Sequence, residues 1–221
     1  MEYQLYCRAE SGNCYKAAMM LNLCGLNWQP RFVDFFDDET GRNFRADVNE
    51  IGELPVLKTG GLRLSQSGLI LTYLSDKTGK FGGETEDERR EVLRWILYDN
   101  HRFTPNYATL RMMIGLRGMP ESPVTEWLRS QAVAALETVN ERLKDRPFVV
   151  GSDLTIADIS MSAYQFYQEE TGIDRSRYPH IRTWLQRIAA HPSWADAYDL
   201  MPRAMTPTST NGGASIGRDR K

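Results

Sequence analysis

Apolar positions recur along this chain with two different periods, and the period changes part-way. Residues Tyr3-Gln4-Leu5-Tyr6-Cys7 alternate and are rich in β-formers, which predicts a strand. Cys14, Ala17, Ala18, Leu21 and Cys24 then recur at helical spacing up to Gly25, so a helix follows. Trp28 to Val33 reads as a short second strand, and Asp37 to Asp47 as a polar segment with turn residues. Leu54 to Lys58, a turn at Gly60-Gly61 and Leu62-Arg63-Leu64 predict a hairpin. A helix from Gln66 to about Ser75 carries Leu69, Ile70, Tyr73 and Leu74 on its apolar side.

Beyond the glycine-rich break Gly79 to Gly83 only the helical period remains. Val92, Trp95, Ile96 and Asp99 form one such series, and Val124, Trp127, Leu128, Gln131, Ala135, Leu136, Val139 and Leu143 another. Ser122-Pro123 supplies a cap and an N1 proline to the second series. Thr155-Ile156-Ala157-Asp158 has the form of a capping box, flanked by Leu154 and Ile159 at the positions of a hydrophobic staple, which assigns Asp158 to folding. Two further helices are indicated around Ile181 to Ala190 and Trp194 to Leu200. The order β-α-β-turn-β-β-α followed by helices alone predicts an α/β thioredoxin-like N-terminal domain plus an all-α C-terminal domain. The expected bounds are 1–78, a linker at 79–84 and a helical domain at 85–202. The stretch 203–221, rich in Thr, Ser and Gly, has no apolar periodicity and is expected to be disordered.

Composition narrows the classes. With 221 residues, 41% of them hydrophobic, the chain can bury a sizeable core. A net charge of -2 and no basic run with interleaved aromatics argue against a nucleic-acid partner. No run of eighteen apolar residues and no basic-then-apolar start are present, so a soluble, cytoplasmic chain with no membrane partner is expected. Three cysteines, Cys7, Cys14 and Cys24, suit neither a disulfide framework nor a zinc site, and no metal is expected.

Three places carry candidate chemistry. Ser11-Gly12-Asn13-Cys14 lies where the first strand enters the first helix. A serine there is an N-cap on the bare pattern, yet helix N-termini also favour anions. Thioredoxin-like redox proteins have Cys-x-x-Cys at this junction, and the spacing survives here as Ser11-x-x-Cys14. A hydroxyl is unsuited to disulfide exchange but well suited to donate a hydrogen bond to another molecule's thiolate. Cys14 itself is expected to face the domain interior. The second place is Gly52-Glu53-Leu54-Pro55-Val56-Leu57, where a proline, if cis, turns the Leu54 backbone outward to pair with an extended peptide. The third is Ser65-Gln66-Ser67, whose hydroxyl and free N–H groups suit either a cap or a bound carboxylate.

Taken in order with Gly151 to Asp158, these motifs resemble the cytosolic glutathione S-transferases over nearly the whole chain, from Tyr3 to about Met201. The Ser11 to Lys16 run is similar to those of bacterial theta- and nu-like classes of the serine or asparagine type. The resemblance implies glutathione as co-substrate, a helical domain that shapes the site for a hydrophobic electrophile, a role in detoxification and a homodimer. It implies Ser11, with Asn13 sharing the work, as the group that stabilises the thiolate. Leu54, ahead of a cis Pro55, matches the residue that pairs with the cysteinyl backbone, and Gln66 and Ser67 match the pair that holds the γ-glutamyl end. One position departs from the pattern: Glu53 stands near the expected glycyl carboxylate, where members commonly have Lys or Gln. Arg42 or Arg45 is expected to supply the missing cation. Tyr107, Arg111 and Met112 fall where helical-domain residues overlook the sulfur. Glutathione-dependent disulfide reduction or peroxidase activity, or a non-catalytic scaffold, are the alternatives that the same fold allows.

Overall fold

The computed structural model describes residues 2–34 and 37–203. Strand β1 (Tyr3–Cys7) runs parallel to β2 (Trp28–Phe32) and antiparallel to β3 (Val56–Thr59), which pairs antiparallel with β4 (Leu62–Ser65), in the order β2-β1-β3-β4. Register follows the alternation of β1. Tyr3, Leu5 and Cys7 turn into the core, and Leu5 lies opposite Leu57. Helix α1 (Gly12–Leu23) is buried on almost every side, because it lies between the sheet and the helical half.

The segment read as polar turns contains helix α2 (Asp38–Asp47), which corrects the expected β-α-β-turn order to β-α-β-α-β-β-α. Only Phe44 of this helix is buried, so it shows no apolar stripe in the sequence. Its stability comes from its ends. Asp37 accepts the Thr40 N–H at 2.7 Å and the Thr40 hydroxyl at 2.6 Å, with Asp38 and Glu39 in the first turn and Arg45 in the last. Phe44 joins Val33 and Val56 in a small second core.

Helix α3 (Ser67–Thr78) ends the first half, and α4 (Glu86–Tyr98) opens the second behind a Thr85/Glu88 capping box. A π-helical turn at Asp99–Phe103, helix α5 (Thr104–Leu110) and a second π-helical turn at Arg111–Leu116 continue from it. Then come α6 (Pro123–Arg142), α7 (Ile156–Ser162), α8 (Pro179–Ala189) and α9 (Ala197–Leu200). Asp158, fully buried, accepts the N–H groups of Val149 and Thr155, the Thr155 hydroxyl and the Trp184 indole N–H, all within 2.9 Å. The architecture is thioredoxin-like plus all-helical. From residue 204 on, the stretch expected to be disordered lies outside the described residues. Among the described residues no helix is long and apolar enough to cross a membrane, and no cluster of His, Cys, Asp or Glu is placed to hold a metal.

A buried polar cluster joins the halves. The Lys16 ammonium of α1 donates to Asp99 at 2.6 Å and to Thr104 at 3.0 Å, and Thr104 and Ser160 donate to the same carboxylate. Both charged side chains are 0% exposed. A lysine amid the apolar residues of α1 gives no sign in the sequence of the partner that neutralises it.

Candidate active site

The site is built on three element starts. At the first, Ser11 has extended backbone and caps α1, its Oγ accepting the Cys14 N–H at 3.3 Å. That bond uses a lone pair, so the cap does not consume the hydroxyl proton, although the hydroxyl also lies within reach of the Cys14 thiol. Capping and hydrogen-bond donation to a ligand are therefore compatible in one residue. Gly12, next in the chain, lies under the Tyr164 ring. A Cβ there would stand 2.6 Å from ring atoms, so only glycine allows this approach.

The second start brings Asn13 to α3. Ser67 Oγ donates to Asn13 Oδ1 at 3.4 Å, which leaves the Asn13 amide N–H groups as its free donors. Ser67 is buried, while Ser11 and Asn13 are half-buried. Gln66 holds φ at 72°, a conformation rare for a residue with a side chain. Its amide donates to Glu53 Oε2 at 3.0 Å. Glu53 is thus tied to Gln66 at the entry to α3.

The third start is the Leu54–Pro55 peptide, which is cis and immediately precedes β3. Neither the N–H nor the C=O of Leu54 is hydrogen-bonded among the described residues. Asn49 braces the approach by donating to the Glu53 carbonyl at 2.9 Å. Arg45, not Arg42, lies against this run. Its guanidinium covers Gly52, where a Cβ would meet it at 2.5 Å, and donates to the Glu50 carbonyl at 3.0 Å. Arg42 is exposed on α2 and makes no ion pair or hydrogen bond to the Gly52 to Pro55 run among the described residues.

The helical half meets the site differently from expectation. Tyr107 is 2% exposed and stacks on Phe103 with centroids 5.2 Å apart, so it forms part of the core. Arg111 is also 2% exposed and fully engaged. It donates to both Glu169 oxygens at 3.1 and 2.8 Å and to the Glu10 carbonyl at 2.7 Å, so its guanidinium is held inside the protein. Met112 is half-buried. Tyr164, absent from the sequence-based set, is the aromatic that reaches the start of α1, and burial pushes its phenol up to about 12. Burial likewise pushes the Cys14 thiol up to about 11, although the Ser11 hydroxyl and Arg8 pull the other way. Cys14 is a neutral, enclosed thiol.

A model of the glutathione S-transferase C-terminal domain matches residues 107–192. The crystal structure of a glutathione S-transferase from Pseudomonas fluorescens Pf-5 is 34% identical, superimposes with a TM-score of 0.83, and aligns over 89% of this chain and 99% of that one. The chain belongs to the glutathione S-transferase family. Among curated members, glutathione S-transferase 3 of Zea mays is 25% identical over 221 aligned residues, covering 94% of this chain and 98% of the relative. The disulfide-bond oxidoreductase YfcG of Escherichia coli K12 is 27% identical over 209 aligned residues, covering 86% and 91%. The family thus includes relatives named for different reactions at similar distance from this chain.

Proposed function

We propose that this protein is a glutathione transferase of the serine or asparagine type, which binds glutathione at the first half and directs its thiolate at a hydrophobic electrophile. The observation that carries the reading is the Ser11 hydroxyl at the start of α1, which caps the helix as an acceptor and so keeps its proton for donation, beside Asn13 with its Oδ1 already taken by Ser67. Both residues then have donors left for an anion. A free thiol titrates at about 8.5, and each unit of lowering takes about 1.4 kcal/mol of preference for the thiolate. One hydrogen bond to a charged acceptor contributes about 1.5 to 3 kcal/mol, and a helix N-terminus about 0.3 to 1. Together they lower the thiol by roughly 1.5 to 3 units, enough to ionise it at neutral pH. The thiolate then attacks carbon in a conjugation, its electron pair forming the new C–S bond while the leaving group departs with its own pair.

The remaining contacts follow the same ligand. Leu54 offers its unpaired N–H and C=O to the cysteinyl backbone, next to Pro55. Ser67 and the Gln66 amide take the γ-glutamyl carboxylate. Glu53, drawn to Gln66, accepts from the γ-glutamyl ammonium, so its charge attracts at that end instead of repelling at the other. Arg45, beside Gly52, is the nearer candidate for the glycyl end. Leu69, Leu93 and Leu97, each more than half exposed on α3 and α4, are the apolar side chains through which a homodimer would form.

Titration calorimetry with glutathione tests binding. A panel comprising an aryl halide, hydroxyethyl disulfide and an organic hydroperoxide then tests the reaction. Conjugation of the aryl halide faster than reduction of the disulfide is the expected result. The reverse order assigns the site to disulfide reduction, and no binding assigns it to a scaffold.

A further inference from the structure

The loop that presents Ser11 is held largely by the helical half. Arg111 Nη1 donates to the Glu10 carbonyl at 2.7 Å, the Tyr167 hydroxyl donates to the Ala9 carbonyl at 2.6 Å, and the Ala9 N–H donates to the Pro202 carbonyl at 3.0 Å. Within the loop, the Ser11 N–H returns to the Arg8 carbonyl at 3.2 Å. Arg111 is in turn aligned from behind. Glu169 accepts from it through both oxygens, the Tyr198 hydroxyl donates to Glu169 at 2.6 Å, and the guanidinium lies 3.8 Å over the Tyr167 ring. A bidentate pair with these supports has one available orientation.

The orientation gives the pair a direction. One guanidinium nitrogen touches the loop, and the carboxylate binds the other two nitrogens on the far side. The positive end therefore faces the start of α1, where it adds to the helix dipole. We propose that Arg111, aligned by Glu169, is a positioning residue of the thiolate site: it fixes the Glu10–Ser11 peptide, and with it the Ser11 hydroxyl, and turns the positive end of a buried ion pair toward the bound sulfur. This rests on the reading of the site as one for a glutathione thiolate.

The electrostatic surroundings agree with that geometry. Burial disfavours the Arg111 charge, and Glu169, with Tyr167 and Tyr198, more than offsets it, so the guanidinium stays above its ordinary value. Burial also works against Glu169, which Arg111 and Tyr198 nevertheless hold below the usual carboxylate range. The field of Arg111 reaches the phenols of Tyr164, Tyr167 and Tyr107, each of which it lowers against their burial. On the loop and α1 side the facing groups are Arg8, Glu10 and Cys14; behind the pair stand Tyr198, Arg203 over its ring, and Arg175 near Tyr107.

The test is the thiolate absorbance of bound glutathione, titrated against pH in the wild type and in Ser11→Ala, Arg111→Gln, Arg111→Lys and Glu169→Gln. Arg111→Gln is expected to raise the apparent pKa of the thiol by roughly half a unit or more, because it removes the positive end; Glu169→Gln, whose amide oxygen still accepts from Arg111 and keeps it in place while the opposing charge is gone, is expected to lower it. Arg111→Lys is expected to restore part of the difference. The Glu169 substitution is isosteric and only partly buried, so it reports even if the Arg111 variants fold poorly. Shifts in the same direction for Arg111→Gln and Glu169→Gln, or no shift in either while Ser11→Ala shifts, overturn the inference and leave the glutathione reading standing. A wild type that does not bind glutathione removes that reading, and this inference with it.

Discussion

At the scale of single residues, Ser11 and Cys14 sit three apart on one turn and do opposite work. Ser11 keeps a proton to give, and Ser11→Ala is expected to raise the pKa of the bound thiol by about 1 to 2 units, the equivalent of one charged hydrogen bond. The pH profile of conjugation measures this; an unshifted profile transfers the role to Asn13. Cys14 is enclosed at 0% exposure, with its thiol raised from 9.0 to about 11. The unfolded chain therefore loses this proton first as pH rises. The stability that Cys14 contributes as a neutral thiol is complete below about pH 9 and declines as pH rises toward 11. Denaturant midpoints of wild type and Cys14→Ala, compared across that window, should converge with rising pH. Gly12 is the third case. Gly12→Ala places a methyl against Tyr164 and is expected to cost about 1 to 3 kcal/mol, with partial recovery in Gly12→Ala/Tyr164→Leu.

At the scale of elements, the two π-helical turns decide how the halves engage. Each begins with a buried charged residue that reaches back to the first half, Asp99 to Lys16 and Arg111 to the Ser11 loop. Lys16→Met leaves the Asp99 carboxylate buried without its cation and is expected to cost about 3 to 5 kcal/mol. The double change Lys16→Met/Asp99→Leu should recover much of that loss in urea unfolding, since neither charge then remains buried alone. An equal loss in the double variant would refute the pairing as the cause. The strands, α1, α3, the body of α4 and the capped starts of α6 and α7 were legible from alternation, helical spacing and cap residues. Helix α2 was not, because caps and end charges hold it and only Phe44 is buried. The π-helical turns were not either, since their spacing differs from that of a helix by a single residue.

For the molecule as a whole, the sheet and α1 form one side of the site and the helical half forms its back wall. Leu69 on α3 and Leu93 and Leu97 on α4 are exposed, and the homodimer proposed through them predicts that Leu97→Glu yields monomers in sedimentation velocity. Loss of the dimer without loss of the fold is the expected outcome, because Leu97 is 59% exposed and outside the core. A variant that stays dimeric places the interface elsewhere.

Local patterns were enough to set the fold class and to point to the three stretches around Ser11, Pro55 and Gln66. Each depends on neighbours in the chain: alternation, helical period, a cap, a proline. Which charges meet was decided only in three dimensions. Arg42 and Arg45 lie on one helix, and packing alone brings Arg45 over Gly52. Glu53 and Gln66 are thirteen residues apart and meet across the starts of β3 and α3. Arg111 reads as one basic residue among methionines. Its place behind Ser11 exists only because Glu169 and the Glu10 carbonyl, far from it in sequence, converge on the same guanidinium. Long-range pairing of polar groups leaves no period in a sequence, and such pairs hold the candidate site in place.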